Sequence, residues 1–150
     1  MRSATLSVTR PHLRENESMS DRFATIDSAG IFKEFVTAIN SHDVESLTSL
    51  MTTDHAFVDA LGNRVRGATS MEAGWRGYFA MCPDYRIQTE DVVANGGVVL
   101  AVGEAGGTID GVAWRTPAAW KAEIRDGRVA EWRVFADNKP VYEILARRQR

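Results

Sequence analysis

The sequence predicts an α+β fold: a curved, mostly antiparallel sheet of about six strands, wrapped on three helices from the N-terminal half, with an apolar pocket between them. Three observations predict it. Apolar residues recur with the helical period through much of the N-terminal half, and alternate with polar ones after residue 85. The C-terminal third reads as two strand-like runs, Trp120 to Arg125 and Arg128 to Ala136, joined by Asp126-Gly127. Both residues of such a turn accept positive φ and match the twist of paired strands, so it signals a hairpin. Finally, 150 residues with 44% hydrophobic and 25% charged side chains suffice to bury one core without metal or disulfide staples.

Each element follows from local pattern. Ile31, Phe32, Phe35, Val36 and Ile39 place a first amphipathic helix at about residues 28–40. Asn40-Ser41-His42 interrupts it, and Asp43 can cap a second helix carrying Val44, Leu47, Leu50 and Met51. A strand at Asp54 to Ala60 puts His55, Phe57 and Asp59 on one face. Leu61-Gly62-Asn63 turns the chain into a brief return strand at Val65. Thr69-Ser70-Met71-Glu72 has the form of a capping box, with Thr69 capping and Glu72 reaching back. The helix it opens carries Met71, Trp75, Tyr78, Phe79 and Cys82 on one side and ends at Pro83.

Four longer strands are expected at about residues 85–94, 97–105, 113–125 and 128–136, with Asn95-Gly96-Gly97 as another tight turn. Gly106 to Gly111 reads as a glycine-rich loop, not a phosphate cradle, because no helix N-terminus follows it. Trp114, Thr116, Ala118, Trp120, Ala122 and Ile124 share one face, opposite Arg115, Lys121, Glu123 and Arg125. Trp132, Val134 and Ala136 continue the apolar face. Asn138-Lys139-Pro140 opens a short last helix through Leu145.

Composition narrows the function classes. A net charge of −2 and a pI near 5.9 give no electrostatic reason to expect nucleic acid or an anionic membrane surface. No apolar run reaches the ~20 residues needed to span a bilayer. Cys82 is the only cysteine, so no intramolecular disulfide or thiolate cluster forms, and it is read as a small buried hydrophobe. No His, Asp or Glu group has metal spacing, so neither metal nor cofactor is expected, and a cytoplasmic location is the default. Residues 1–20 are polar, carry Arg2, Arg10 and Arg14, and contain a second possible start at Met19. They are expected to form a flexible tail before a single domain over 21–150.

The order helix–helix–strand–helix–four strands, with the Asn40 to Asp43 turn, Asp59, Gly67 and the Asp126-Gly127 hairpin leading to Trp132 and Asp137, resembles the nuclear-transport-factor-2-like superfamily, and within it the SnoaL-like branch. The resemblance covers about residues 28–145. It implies a cone-shaped fold, and a homodimer joined through the outer sheet face. Fold alone does not assign an activity here, since the superfamily includes isomerases, cyclases, hydrolases and binding proteins.

Residue by residue, the resemblance to ketosteroid-isomerase-like members puts the general base at Asp59 but Phe35 and the neighbourhood of Ala119 where two oxyanion donors would stand. Losing one such donor costs about 2.7–4 kcal/mol of transition-state stabilisation. In the Asp-Arg-Asp set of limonene-epoxide-hydrolase-like members, the Arg-x-Asp strand position falls near Gly103 and Ala105 and the second acid near Val134. The acid of polyketide-cyclase-like members matches Asp137. Their histidine on the preceding strand is missing, since His12, His42 and His55 lie in the N-terminal half.

The expected site is therefore Asp59 and Asp137 as catalytic acids, with Phe57, Trp75, Tyr78, Phe79, Trp114, Trp120 and Trp132 lining a pocket for a small hydrophobic molecule. Asp59 could instead pair with Arg64 or Arg66, and Asp137 could cap the last helix. Two functions remain open. One is a cofactor-independent isomerase, cyclase or hydratase using Asp59 for proton transfer, with Asp137 or Tyr78 as second polar group. The other is a non-catalytic ligand-binding or assembly domain.

Overall fold

The apolar period from Phe32 to Ile39 builds α1 (Met19–Asn40) in a computed structural model that describes residues 19–149. Phe32, Phe35, Ala38 and Ile39 are buried, while Met19 and Phe23 at the polar start stay exposed. The helix begins well before its apolar stripe. Its extra turns are fastened from the side, where Thr25 Oγ1 accepts a 2.8 Å hydrogen bond from the backbone N–H of Gly96. Of the expected tail, residues 1–18 lie outside the described residues, and Met19 and Ser20 are helical.

The Asn40 to Asp43 turn has a specific job at each end. Asn40 clamps a distant strand in both directions, its amide donating to Ile87 O and accepting from Ile87 N, each at 2.9 Å. Asp43 caps α2 (Val44–Ser49), accepting from Ser46 N at 3.0 Å. Between them His42 takes φ 55°, sets its Nε2 2.7 Å from Tyr85 O and stacks on Phe79 at 4.1 Å.

One six-stranded sheet holds β1 (Met51–Val58), β2 (Arg64–Arg66), β3 (Arg86–Asn95), β4 (Val98–Ile109), β5 (Val112–Arg125) and β6 (Arg128–Ala136) in the order β2-β1-β6-β5-β4-β3. β1 and β6 run parallel, and every other neighbouring pair is antiparallel. Register shifts in the β1–β6, β3–β4 and β5–β6 pairs mark bulges, which bend strands and raise local twist. α1 and α3 (Ala68–Met81) pack into the concave face so formed, and α4 (Lys139–Ala146) closes one end, followed by a 3-10 turn at Arg147–Gln149. The inward alternation of β5 and β6 puts Trp120 and Trp132 at the centre, where the Trp132 ring lies 4.8 Å from Phe35 and 5.5 Å from Phe32.

Three local readings differ from the structure. The second helix does not carry Leu50 and Met51: Leu50 is the C-cap of α2 and Met51 opens β1. The cap of α3 is Gly67 at φ 97°, without a side-chain hydrogen bond, so Thr69 and Glu72 form no capping box. Glu72 pairs instead with Arg76 one turn later, at 3.0 Å. The segment from Gly106 onward is not a loop. β4 runs through it to Ile109 and turns at Asp110-Gly111, whose φ values of 52° and 75° match the positive-φ pattern of Asp126-Gly127. Gly106 and Gly107 are small for close approach: a Cβ on Gly107 would stand 2.3 Å from Cys82 Sγ.

Candidate functional site

Between α3 and the inner faces of β1, β4, β5 and β6 lies a cavity of about 310 Å³. It is open toward the end of the cone where β1 turns into β2 and β6 meets α4, with Asp59, Ala60, Ala136 and Asn138 on its wall there. Aromatic rings dominate the rest. Trp75 and Tyr78 come from one face of α3, Tyr85 from the turn after it, Phe57 from β1, Trp114 from β5 and Trp132 from β6.

These rings brace one another. Trp75 meets Phe57 and Tyr78 edge-on at 6.3 and 6.4 Å, Tyr78 meets Tyr85 edge-on at 4.8 Å, and Tyr85 stacks over Trp114 at 6.1 Å. Such geometries match the positive edge of one ring to the negative face of the next, and hold the wall in place without a ligand.

The polar groups among these rings are donors. Neither the Tyr78 nor the Tyr85 hydroxyl has a hydrogen-bond partner among the described residues. Burial pushes both phenols far above their ordinary range, with the nearby Cys82 adding to the effect, so both stay protonated at any ordinary pH. The buried Nε1–H of Trp75 is also unpartnered. That of Trp114 lies beside the thiol of Cys82, which burial keeps in its neutral form. No lysine, arginine or histidine lines the cavity. Among the described residues no three His, Cys, Asp or Glu side chains group as a metal would require.

Asp59 reaches the cavity wall, but its carboxylate is engaged by its own turn. Oδ1 accepts from the backbone N–H of Leu61 at 2.9 Å and of Asn63 at 2.8 Å, and Oδ2 accepts from Asn63 Nδ2 at 3.1 Å. This is the self-bonding that suits aspartate to turns. Arg64 does not pair with it, and joins Glu131 at 3.1 Å instead.

Asp137 stands outside this cavity, on an adjoining surface groove. Its Oδ1 accepts from Lys139 N at 3.0 Å and its carbonyl accepts from Thr116 Oγ1 at 2.8 Å, so it is tied to the first turn of α4 from one residue before the N-cap Asn138. Phe57, Trp75, Tyr78, Trp114 and Trp132 are brought together on the wall, whereas Phe79 and Trp120 are not. Phe79 turns to His42, and Trp120 sits at the sheet centre with 1% exposure. Sequence reading missed Tyr85, which appeared only as the start of a strand. Counting back from the buried Ile87 would have put Tyr85 on the inner face. His55 belongs to the core: it is fully buried, its Nδ1 lies 2.7 Å from Val129 O, and burial pushes its pKa down.

Comparison with known proteins agrees with this architecture. Residues 32–132 match the family of the SnoaL-like domain. No curated protein sequence matches the chain. Among solved structures, a candidate SnoaL-like polyketide cyclase from Jannaschia sp. CCS1 superposes with a TM-score of 0.72 at 18% identity, covering 85% of this chain and 94% of its own. An LEH-like epoxide hydrolase of M. tuberculosis gives a TM-score of 0.72 at 19% identity over 82% and 92% of the two chains. A protein of ketosteroid-isomerase-like fold from Catenulispora acidiphila DSM 44928, in complex with trimethylamine, gives 0.65 at 19% identity over 70% and 83%. At these identities the likeness concerns the fold.

Proposed function

The chain belongs to the SnoaL-like family, within the nuclear-transport-factor-2-like superfamily, and on that premise we propose that it is a small-molecule pocket protein whose ligand is flat, largely apolar and bears a hydrogen-bond-accepting oxygen. One observation carries the proposal: the cavity is walled by rings and offers two unpartnered tyrosine hydroxyls with no cation beside them. Donors without a neighbouring positive charge suit a carbonyl or phenol oxygen better than a carboxylate. Calorimetric titration with 1-naphthol tests it. Saturable binding that weakens about fivefold in Tyr78→Phe, the worth of one ordinary hydrogen bond, supports the reading. Absence of binding across a panel of phenols and ring ketones overturns it.

A proton-transfer enzyme is the second reading, favoured because Asp59 shares a cavity wall with those hydroxyls. Its turn-bound carboxylate makes this the weaker of the two. Asp59→Asn separates them: a catalytic Asp59 loses turnover on a substrate, while a structural one costs only about 1 kcal/mol of stability. Epoxide hydrolysis of the limonene type has little support. At Gly103, near which that resemblance needs an arginine, an added Cβ would stand 1.8 Å from Gln88 O.

The proposed assembly is a homodimer in the cytoplasm, joined through the convex sheet face. Val93, Leu100, Val102 and Phe135 expose 47–66% of their surface there and lie on neighbouring strands, Val93 opposite Leu100 and Val102 one Ala119 away from Phe135. An apolar stripe of this kind on a sheet is normally covered. Among the described residues no helix is long and apolar enough to cross a membrane.

A further inference from the structure

Beside the aromatic cavity lies a second concavity, and we propose that the two form one two-part ligand site, in which the inner cavity takes an uncharged ring system and the outer groove takes an amine-bearing arm attached to it. This rests on the binding reading above and extends it to the ligand's second half. The groove, about 350 Å³, runs from Leu61 to α4 and is walled by Asp137, Lys139, Tyr142 and Glu143. It shares Ala60, Ala136 and Asn138 with the inner cavity. Two of these three are alanines, so little side-chain bulk separates the compartments where they meet.

Charge selects the arm. The cavity wall carries no cationic side chain, and Asp59 sits where it meets the groove. The groove adds Asp137 and Glu143 against a single ammonium, that of Lys139, which is already 3.8 Å from Glu143. Asp59 and Asp137 accept hydrogen bonds only from neutral N–H groups, and neither has an ion-pair partner among the described residues. Two carboxylates thus flank the junction with their charge uncompensated. A ligand arm ending in a carboxylate is repelled there, and one ending in an amine is drawn in.

Calorimetric titration at low salt with three naphthalene probes tests the proposal: 1-naphthol, N-(1-naphthyl)ethylenediamine and 1-naphthoxyacetic acid. The amine probe should bind about fivefold tighter than 1-naphthol, as one favourable exposed ion pair allows, and the acid probe more weakly. The amine's advantage should shrink with added salt. Glu143→Lys and Leu61→Lys, both at exposed groove positions, should each abolish that advantage and leave 1-naphthol binding unchanged. If 1-naphthol binds but the amine probe binds no tighter, or keeps its advantage in both lysine variants, the two-part site is overturned and the inner-cavity reading stands. If neither probe binds, both fall together.

Discussion

Gly103→Ala gives the most direct test of how β3 and β4 approach each other. Gly103 pairs with Thr89, next to the register shift between Thr89 and Asp91. An added methyl would lie 1.8 Å from Gln88 O, 2.9 Å from Gln88 C and 3.0 Å from Thr89 Cα, all backbone atoms that no rotamer change can move. Ordinary contact begins near 3.4 Å, so the strands must part by about 1.6 Å, the difference from 1.8 Å. Ladder hydrogen bonds near 2.9 Å do not survive such an opening. Overpacking costs about 1–3 kcal/mol and two lost ladder bonds about 1–3 kcal/mol more, so a loss of about 4 kcal/mol is expected. That is a large part of the 5–15 kcal/mol typical of a domain, and at this chain length it lowers Tm by roughly 8–16 °C.

Gly77→Ala is the matched control. It lies within α3, where an added Cβ meets nothing within 4 Å, so helix propensity should make it neutral or stabilising by about 0.5–1 kcal/mol. Urea unfolding followed by tryptophan fluorescence measures both. A Gly103→Ala loss under 1 kcal/mol would refute the close approach, and with it the steric argument against an arginine at that position.

Three further outcomes are expected. Tyr78→Phe and Tyr85→Phe should each leave the thermal midpoint within the change of about 0.5 kcal/mol usual for neutral sites, because neither hydroxyl bonds to protein; a larger loss would show a structural role. Leu100→Glu, on the convex stripe with 52% of Leu100 exposed, should convert a dimer to monomer by light scattering and leave the fold intact by circular dichroism; an unchanged mass would sink the proposed interface. His55 should make stability fall with acid. Burial holds its folded pKa below the ordinary value of 6.5, so its contribution is full above pH 6.5 and is lost as pH drops through that folded value. His55→Asn should flatten this part of the stability–pH curve, and an unaltered slope would remove His55 as its source.

The sequence by itself determined the elements and most of their faces. Alternation in Trp114 to Ile124 and in Trp132 to Ala136 is enough to send those side chains inward, because a strand has a strict period of two. Asp126-Gly127 carries its turn type in its own backbone preference, and Asp43 its cap in the reach of one carboxylate. These are interactions between residues close in the chain.

What tertiary structure decided depends on residues far apart in the chain. Gly106 and Gly107 look like a loop until β5 is seen lying against Gly106, and Cys82 and Asp84 over Gly107. Trp75 and Trp120 have the same apolar character in sequence, yet one lines the cavity and the other fills the sheet centre, because the bulges that curve the sheet set where the core ends and the cavity begins. Asp59 and Asp137 are the clearest case. Their chemistry was legible from the chain, but whether each carboxylate faces a ligand or its own turn depends on hydrogen bonds that form only once the strand ends and α4 are in place.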